Sequence, residues 1–134
     1  MSTQTQILLE QEVLDLDIHD IAAAFGNDVN GLQECMGLIQ EELDRIGLHP
    51  VRQGKDCEYE PLKSAGYRKV KLYSSKALRT TKGEKPDLRI IYKYDEADDM
   101  VRVVSIGFRA KEKPRPDHDP YSKATKREKE RQQV

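Results

Sequence analysis

Residues 27–50 carry the most restrictive pattern in the chain. Val29, Leu32, Met36, Ile39, Leu43 and Ile46 recur at alternating steps of three and four, which puts all six on one side of an α-helix. Asn27 or Asp28 can cap its first turn with a side-chain oxygen, and Gly47 and Pro50 stop it. A helix with one apolar stripe must bury that stripe. It suits packing on the chain's own sheet, and it also fits a helical hairpin or half of a dimer interface; the strands that follow need a cover, which favours the sheet. Just before it, Ile18, Ile21, Ala22 and Phe25 form a shorter helical face ending at Gly26. Residues 6–9 and 12–16 fit a strand running into a helix, but runs this short do not fix their own period.

From residue 51 the period changes. Residues 67–73 alternate, with Arg68, Val70 and Leu72 on one face and Lys69 and Lys71 on the other. Residues 88–94 and 100–108 are rich in Ile, Val and Tyr and read as two more strands. The polar turn 95–99 joins those two into an antiparallel hairpin. Between the first strand and the hairpin, residues 74–87 are rich in Ser, Thr, Lys and Gly and read as an extended loop. Residues 111–119, with Pro114 and Pro116, read as irregular, and Pro120 opens a last helix over about 121–131.

At 134 residues and 37% hydrophobic content the chain suits one domain with one modest core. Residues 1–5 and 128–134 are expected to fray. No run approaches the roughly 18 apolar residues of a membrane span, and no basic segment followed by an apolar stretch marks a secretory signal. Cys35 and Cys57 fit two ordinary thiols in a reducing cytoplasm, without a CxxC metal pair. Asp117, His118 and Asp119 are adjacent, which suits a loop better than convergence on one ion.

The net charge of −1 hides a split. Residues 1–50 hold ten Asp and Glu against one Arg, while residues 51–134 hold fourteen against twenty-two Lys and Arg. Such asymmetry suggests a surface facing a polyanion, although solvated charge alone also produces it. The basic half has an ordered set of cations: Lys69 and Lys71 on one strand face, Arg89 early in the next strand, Arg109 at the end of the third, and Tyr121 beyond a loop that can fold back. Outward cations on a sheet are commonly only solubilising.

Their order changes that weighing. The segments Lys69-Val-Lys-Leu, Leu88-Arg-Ile-Ile-Tyr, Val104-Ser-Ile-Gly-Phe-Arg and Tyr121-Ser-Lys-Ala-Thr-Lys-Arg resemble those of the RelE/ParE family of bacterial toxins over residues 59–127. RelE-type members carry a Lys-x-Lys-Leu strand, a Tyr-Arg-x-x-Tyr strand, a strand closing on Gly-Lys-Arg and a terminal Tyr-x-x-Ala-x-x-Arg helix. The resemblance implies an α+β fold: a small antiparallel sheet, two N-terminal helices packed on one face and a short C-terminal helix. It also implies a toxin that cleaves messenger RNA in the ribosomal A site without a metal or cofactor and is held inactive by a cognate antitoxin. By carry-over, Lys69 and Lys71 orient and polarise the nucleophile and the phosphate, and Arg89 binds the phosphate. Arg109 stabilises the leaving oxygen and can donate its proton, and Tyr121 stacks on a base or assists proton transfer. Arg127 falls at the Arg of the terminal motif and is expected at the RNA.

The residue chemistry agrees with that role. Metal-free cleavage uses the neighbouring 2′-hydroxyl, which RNA has and DNA lacks. It needs a proton acceptor, a proton donor and positive charge on the phosphate. His19, His49 and His118 occupy no motif position, so cations must serve; neighbouring positive charge lowers a lysine's pKa and makes it a better base. The chain departs from the pattern in several places. Phe108 replaces the Lys before Arg109 and is either core or a stacking surface for a base. Leu88 replaces the Tyr before Arg89. The long loop adds Lys76, Arg79, Lys82 and Lys85, either solvated or in contact with ribosomal RNA, and the acidic first half must point away from RNA. Two other functions fit the same fold: a non-enzymatic ParE-like inhibitor of DNA gyrase, and a repurposed module binding RNA or protein without cutting. ParE relatives generally lack the paired Lys and the terminal Tyr found here.

Overall fold

The structure is a computed structural model that describes residues 5–133; the expected fraying of residues 1–4 and 134 lies outside the described residues. In chain order the elements are strand β1 (Gln6–Leu9), a π-helical segment (Val13–Asp17) that runs into α1 (Ile18–Phe25), and the long helix α2 (Val29–Leu48). Then come β2 (Lys55–Asp56), β3 (Tyr67–Leu72), α3 (Lys76–Thr80), β4 (Leu88–Asp95), β5 (Met100–Phe108) and α4 (Pro120–Gln132). The sheet order is β1-β5-β4-β3-β2. The pairs β2–β3, β3–β4 and β4–β5 are antiparallel, whereas β1 runs parallel to β5. The chain leaves β1 through α1 and α2 and re-enters the sheet at its opposite edge, β2, so β1 meets its parallel partner β5 only after the other strands are laid down between those edges.

The expected helices form where the apolar stripes put them. Asp28 caps α2, its carboxylate accepting from Gly31 N at 2.9 Å. Cys35, Ile39, Leu43 and Ile46 pack with Val70, Leu72, Leu88, Ile90, Tyr92, Val101, Val103 and Ile106 on one face of the sheet, and Val13 and Ile21 complete that core. Val29, counted in the stripe, stands in the first turn of α2 and is 60% exposed. Gly47 does not stop α2, which runs on to Leu48 and ends at His49. Asp28→Ala should lower the stability of the fold by about 1 kcal/mol, the usual loss for an N-cap carboxylate, read as a shifted urea midpoint with unchanged slope.

The other face carries a smaller core. Cys57, Leu62, Tyr67, Ile91 and Val104 meet Ala124 of α4. A bulge at Ile91/Tyr92, where Tyr92 pairs with Val103 and Ile91 with Ser105, shifts the alternation of β5. Val103 and Ile106, three residues apart, therefore share the helix-covered face, while Val104 serves the other.

Two expectations about less regular regions are corrected. Residues 74–87 are not wholly extended. Ser75 caps the short helix α3 by accepting from Leu78 N at 3.1 Å, and Asp87 accepts from Ser74 N and Oγ at 2.8 and 2.6 Å, closing the segment at its base. The C-terminal end, expected to fray from 128, stays helical to Gln132. Side chains hold it there: Glu128 accepts from the buried Tyr67 hydroxyl at 2.5 Å, and Arg131 pairs with Glu10 at 2.7 Å. Thr5 is likewise anchored, through Gly47 O at 3.2 Å and Asp99 Oδ1 at 2.8 Å.

Candidate active site: a cationic cleft on the sheet

Helix α4 crosses the sheet face opposite α1 and α2, and a buried charge cluster fixes its angle. Asp17, fully buried, accepts two hydrogen bonds from Arg127 at 2.8 and 2.9 Å and one from Ile106 N at 2.9 Å, and lies 3.0 Å from Lys123 Nζ. At the start of the helix, Asp119 accepts from Tyr121 N at 2.9 Å and from Ala110 N at 3.0 Å, and Ser105 Oγ donates to Pro120 O at 2.7 Å. Gly107 lets the helix come this close; a Cβ there would sit 3.1 Å from Lys123 Nζ and 3.5 Å from Pro120 Cγ. These contacts set Tyr121 beside the end of β5.

Between α4, the exposed half of β3–β4 and the segments around residues 57–62 and 109–117 lies an open cleft of about 830 Å³. Lys69, Lys71, Arg89, Arg109 and Tyr121, spread over more than fifty positions of sequence, all line it. The sheet explains the meeting. Lys69 and Lys71 share a face of β3, Lys71 sits directly opposite Arg89 on β4, and Arg89 faces Gly107 of β5, two residues before Arg109. Nine lysines and arginines line the cleft against four carboxylates, so it is a net positive field.

Arg89 is the least ordinary group in it. The residue is 2% exposed, yet among the described residues no carboxylate pairs with it. Its Nη1 donates to Pro86 O and Leu88 O, both at 2.9 Å, and its Nε meets no acceptor. Buried donors are rarely left unmatched, and a buried guanidinium with a spare N–H beside two lysines is a ready anion holder. Placing Lys71 opposite Arg89 costs stability, since like charges repel across a strand pair. Its chemical consequence is plain: partial loss of hydration, then the charges of Arg89, Lys69 and Lys55, hold the Lys71 ammonium below the ordinary lysine value of 10.5. Lys69 is steadied by Glu58 at 3.4 Å and lies 5.8 Å from the centre of the Tyr121 ring.

Other expected site residues lie elsewhere. Arg127 is spent on Asp17 and Val104 O (2.8 Å) and does not face the cleft, because it occupies the side of α4 that packs on the sheet. Phe108 is core: its ring lies 6.3 Å from that of Phe25, on the helix-covered face. Lys76, Arg79, Lys82 and Lys85 are exposed but do not line the cleft. Five of the ten acidic residues of the first half, Asp20, Glu34, Glu41, Glu42 and Asp44, are carried by α1 and α2, on the far side of the sheet. Asp119, part of the adjacent trio 117–119, is the cap of α4.

The pattern of the sequence missed several lining groups. Lys126 and Lys129 flank the cleft one helical turn apart on α4, and Glu58, Tyr59 and Arg115 reach it from irregular segments. Arg115 rests on Tyr121, 4.3 Å from the ring centre, and 5.8 Å from that of Tyr59. The i, i+3 spacing of the two lysines was readable; nothing periodic announces Tyr59 or Arg115.

No helix among the described residues is long and apolar enough to cross a membrane. No family model matches the sequence, and no curated protein matches it. Solved structures do. A free-state Escherichia coli toxin RelE with two arginines replaced by alanine is 17% identical, with a TM-score of 0.50 over 93% of this chain and 98% of that one. The isolated E. coli RelE toxin is 18% identical, with a TM-score of 0.47 over 92% and 97% of the two chains. The toxin-antitoxin complex RelBE2 from Mycobacterium tuberculosis is 14% identical, with a TM-score of 0.49 over 80% and 100%. With a mostly antiparallel sheet and four α-helices among its described residues, this chain has a RelE-like α+β fold.

Proposed function

We propose that the chain is a RelE-like toxin of a type II toxin–antitoxin system, a metal-free endoribonuclease that cleaves messenger RNA on the ribosome. It would act in the cytoplasm and be held in check by a cognate antitoxin. One observation carries the reading: five separated residues, Arg89 among them, line one cleft, and the buried Nε of Arg89 has no partner among the described residues.

In the proposed reaction the 2′-oxygen attacks the adjacent phosphorus while the bond from phosphorus to the 5′-oxygen breaks. The products are a 2′,3′-cyclic phosphate and a free 5′-hydroxyl. Lys71, whose ammonium gives up its proton more readily than an ordinary lysine's, accepts the proton of the 2′-hydroxyl. Arg89 and Lys69 hold the phosphate oxygens as negative charge builds on them. Arg109, just beyond the end of β5, stabilises the leaving 5′-oxygen, which takes its proton from the Arg109 guanidinium or from solvent water. Tyr121 offers a ring on which a neighbouring base can stack. A lining so rich in cations favours a polyanion over a divalent metal.

Primer extension on total messenger RNA after brief induction tests the reading. Cuts confined to translated regions are expected; cuts everywhere, or none, would refute ribosome dependence or cleavage respectively. The base assignment has its own check. Single-turnover cleavage on isolated ribosomes should quicken as pH rises, because only the neutral amine accepts a proton, with an inflection below 10.5. Lys71→Arg should flatten that rise; a Lys71→Arg profile parallel to wild type would remove Lys71 from the role.

A further inference from the structure

We propose that Tyr59 and Arg115 build a second nucleotide subsite beside the scissile phosphate, Arg115 binding the RNA backbone or a base edge and Tyr59 stacking on a base. This rests on the reading of the cleft as an RNA site, but the two residues lie outside every motif that led to that reading.

The geometry is specific. Arg115 lies on the irregular segment between β5 and α4, its Cζ 4.3 Å from the centre of the Tyr121 ring and 5.8 Å from that of Tyr59. Cations at these separations are held by the ring quadrupoles. Such a contact restrains the guanidinium without using its N–H groups as hydrogen-bond donors. Among the described residues no acceptor meets those groups, although Arg115 is only partly exposed and lines the cleft. A preset, unpaired N–H fork in a positive cleft suits bidentate recognition of a phosphate or a base edge. Tyr59 is 67% exposed, the most exposed large hydrophobic side chain described. An aromatic ring in that position has a free face, and single-stranded RNA presents unstacked bases to such faces. Lys69 lies 5.8 Å from the Tyr121 ring, so the phosphate-holding strand and the Tyr59–Arg115 pair meet at one tyrosine. A chain of nucleotides entering the cleft would touch both.

The test is fluorescence anisotropy of a labelled single-stranded RNA hexamer with the purified full chain, at two salt concentrations. Wild type should bind. Tyr59→Ala and Arg115→Ala should each weaken binding about tenfold, with thermal midpoints unchanged because neither side chain is in a core. Arg115→Lys should not restore affinity, since it keeps the charge and loses the flat fork, whereas Tyr59→Phe should restore it. Equal affinity of wild type and both alanine variants, full rescue by Arg115→Lys, or no hexamer binding by wild type would each overturn the subsite. The same variants assayed on ribosomes separate the two claims. Binding that depends on Tyr59 and Arg115 without any cleavage would sink the nuclease and leave the subsite standing. Cleavage with hexamer binding indifferent to both would do the reverse.

Discussion

Induction of Arg89→Ala with Arg109→Ala is expected to leave translation running and messenger RNA uncut, where wild type arrests growth. Each arginine is assigned charge that grows in the transition state, and removing one such donor typically lowers turnover about 10²–10³-fold. Removing both should take cleavage at least about 10⁴-fold down, below detection by primer extension. Arg89 is 2% exposed, so its replacement alone risks the fold. Arg109 is partly exposed and lines the cleft, so Arg109→Ala, checked to melt like wild type, isolates chemistry from folding. Arg89→Lys adds a second control: it keeps a positive charge but not the fork held by Pro86 O and Leu88 O, and should retain partial activity at best. Growth arrest that survives the double variant would end the nuclease assignment.

Asp17→Ala should have the largest effect on stability, about 3–5 kcal/mol, because it strands two largely buried cations. The side chains of Lys123 and Arg127 are 13% and 11% exposed, and both lean on a carboxylate that is wholly buried. For a chain of this length that loss lowers the thermal midpoint by on the order of 10 °C. The same change frees α4 from the sheet, so Tyr121 should lose its place and cleavage should fall with it. Calorimetry on Asp17→Ala, Arg127→Ala and the double variant gives the coupling directly. Strict additivity would mean the cluster does not act as a unit.

The cluster also shows where linear pattern misleads. Arg127 stands at the arginine of a terminal-helix motif and was expected at the RNA, yet its position on α4 turns it toward Asp17, 110 residues away. Its neighbours Lys126 and Lys129 face the cleft instead. A helix of charged residues does not say which side will be buried, since buried ion pairs and solvated charges look alike in sequence. Phe108 follows the same logic. The bulge in β5 shifts the alternation, and the ring goes to the Phe25 side.

What the sequence alone determined was whatever repeats at a local period. The apolar stripe of α2 fixed a helix that had to cover a sheet. The alternation of residues 67–73 fixed Lys69 and Lys71 to one face, and the short polar turn 95–99 fixed an antiparallel hairpin. From these, and from the order of the motif segments, the meeting of Lys69, Lys71, Arg89, Arg109 and Tyr121 could be anticipated, because strand register converts spacing into proximity. Only the tertiary structure decided the burial of Arg89, the lowered pKa of Lys71, the alliance of Asp17 with α4, and the wall formed by Tyr59 and Arg115. Each of these depends on which irregular segment comes to rest against which face. Hydration and charge at a point are sums over neighbours distant in the chain, and no local period records them.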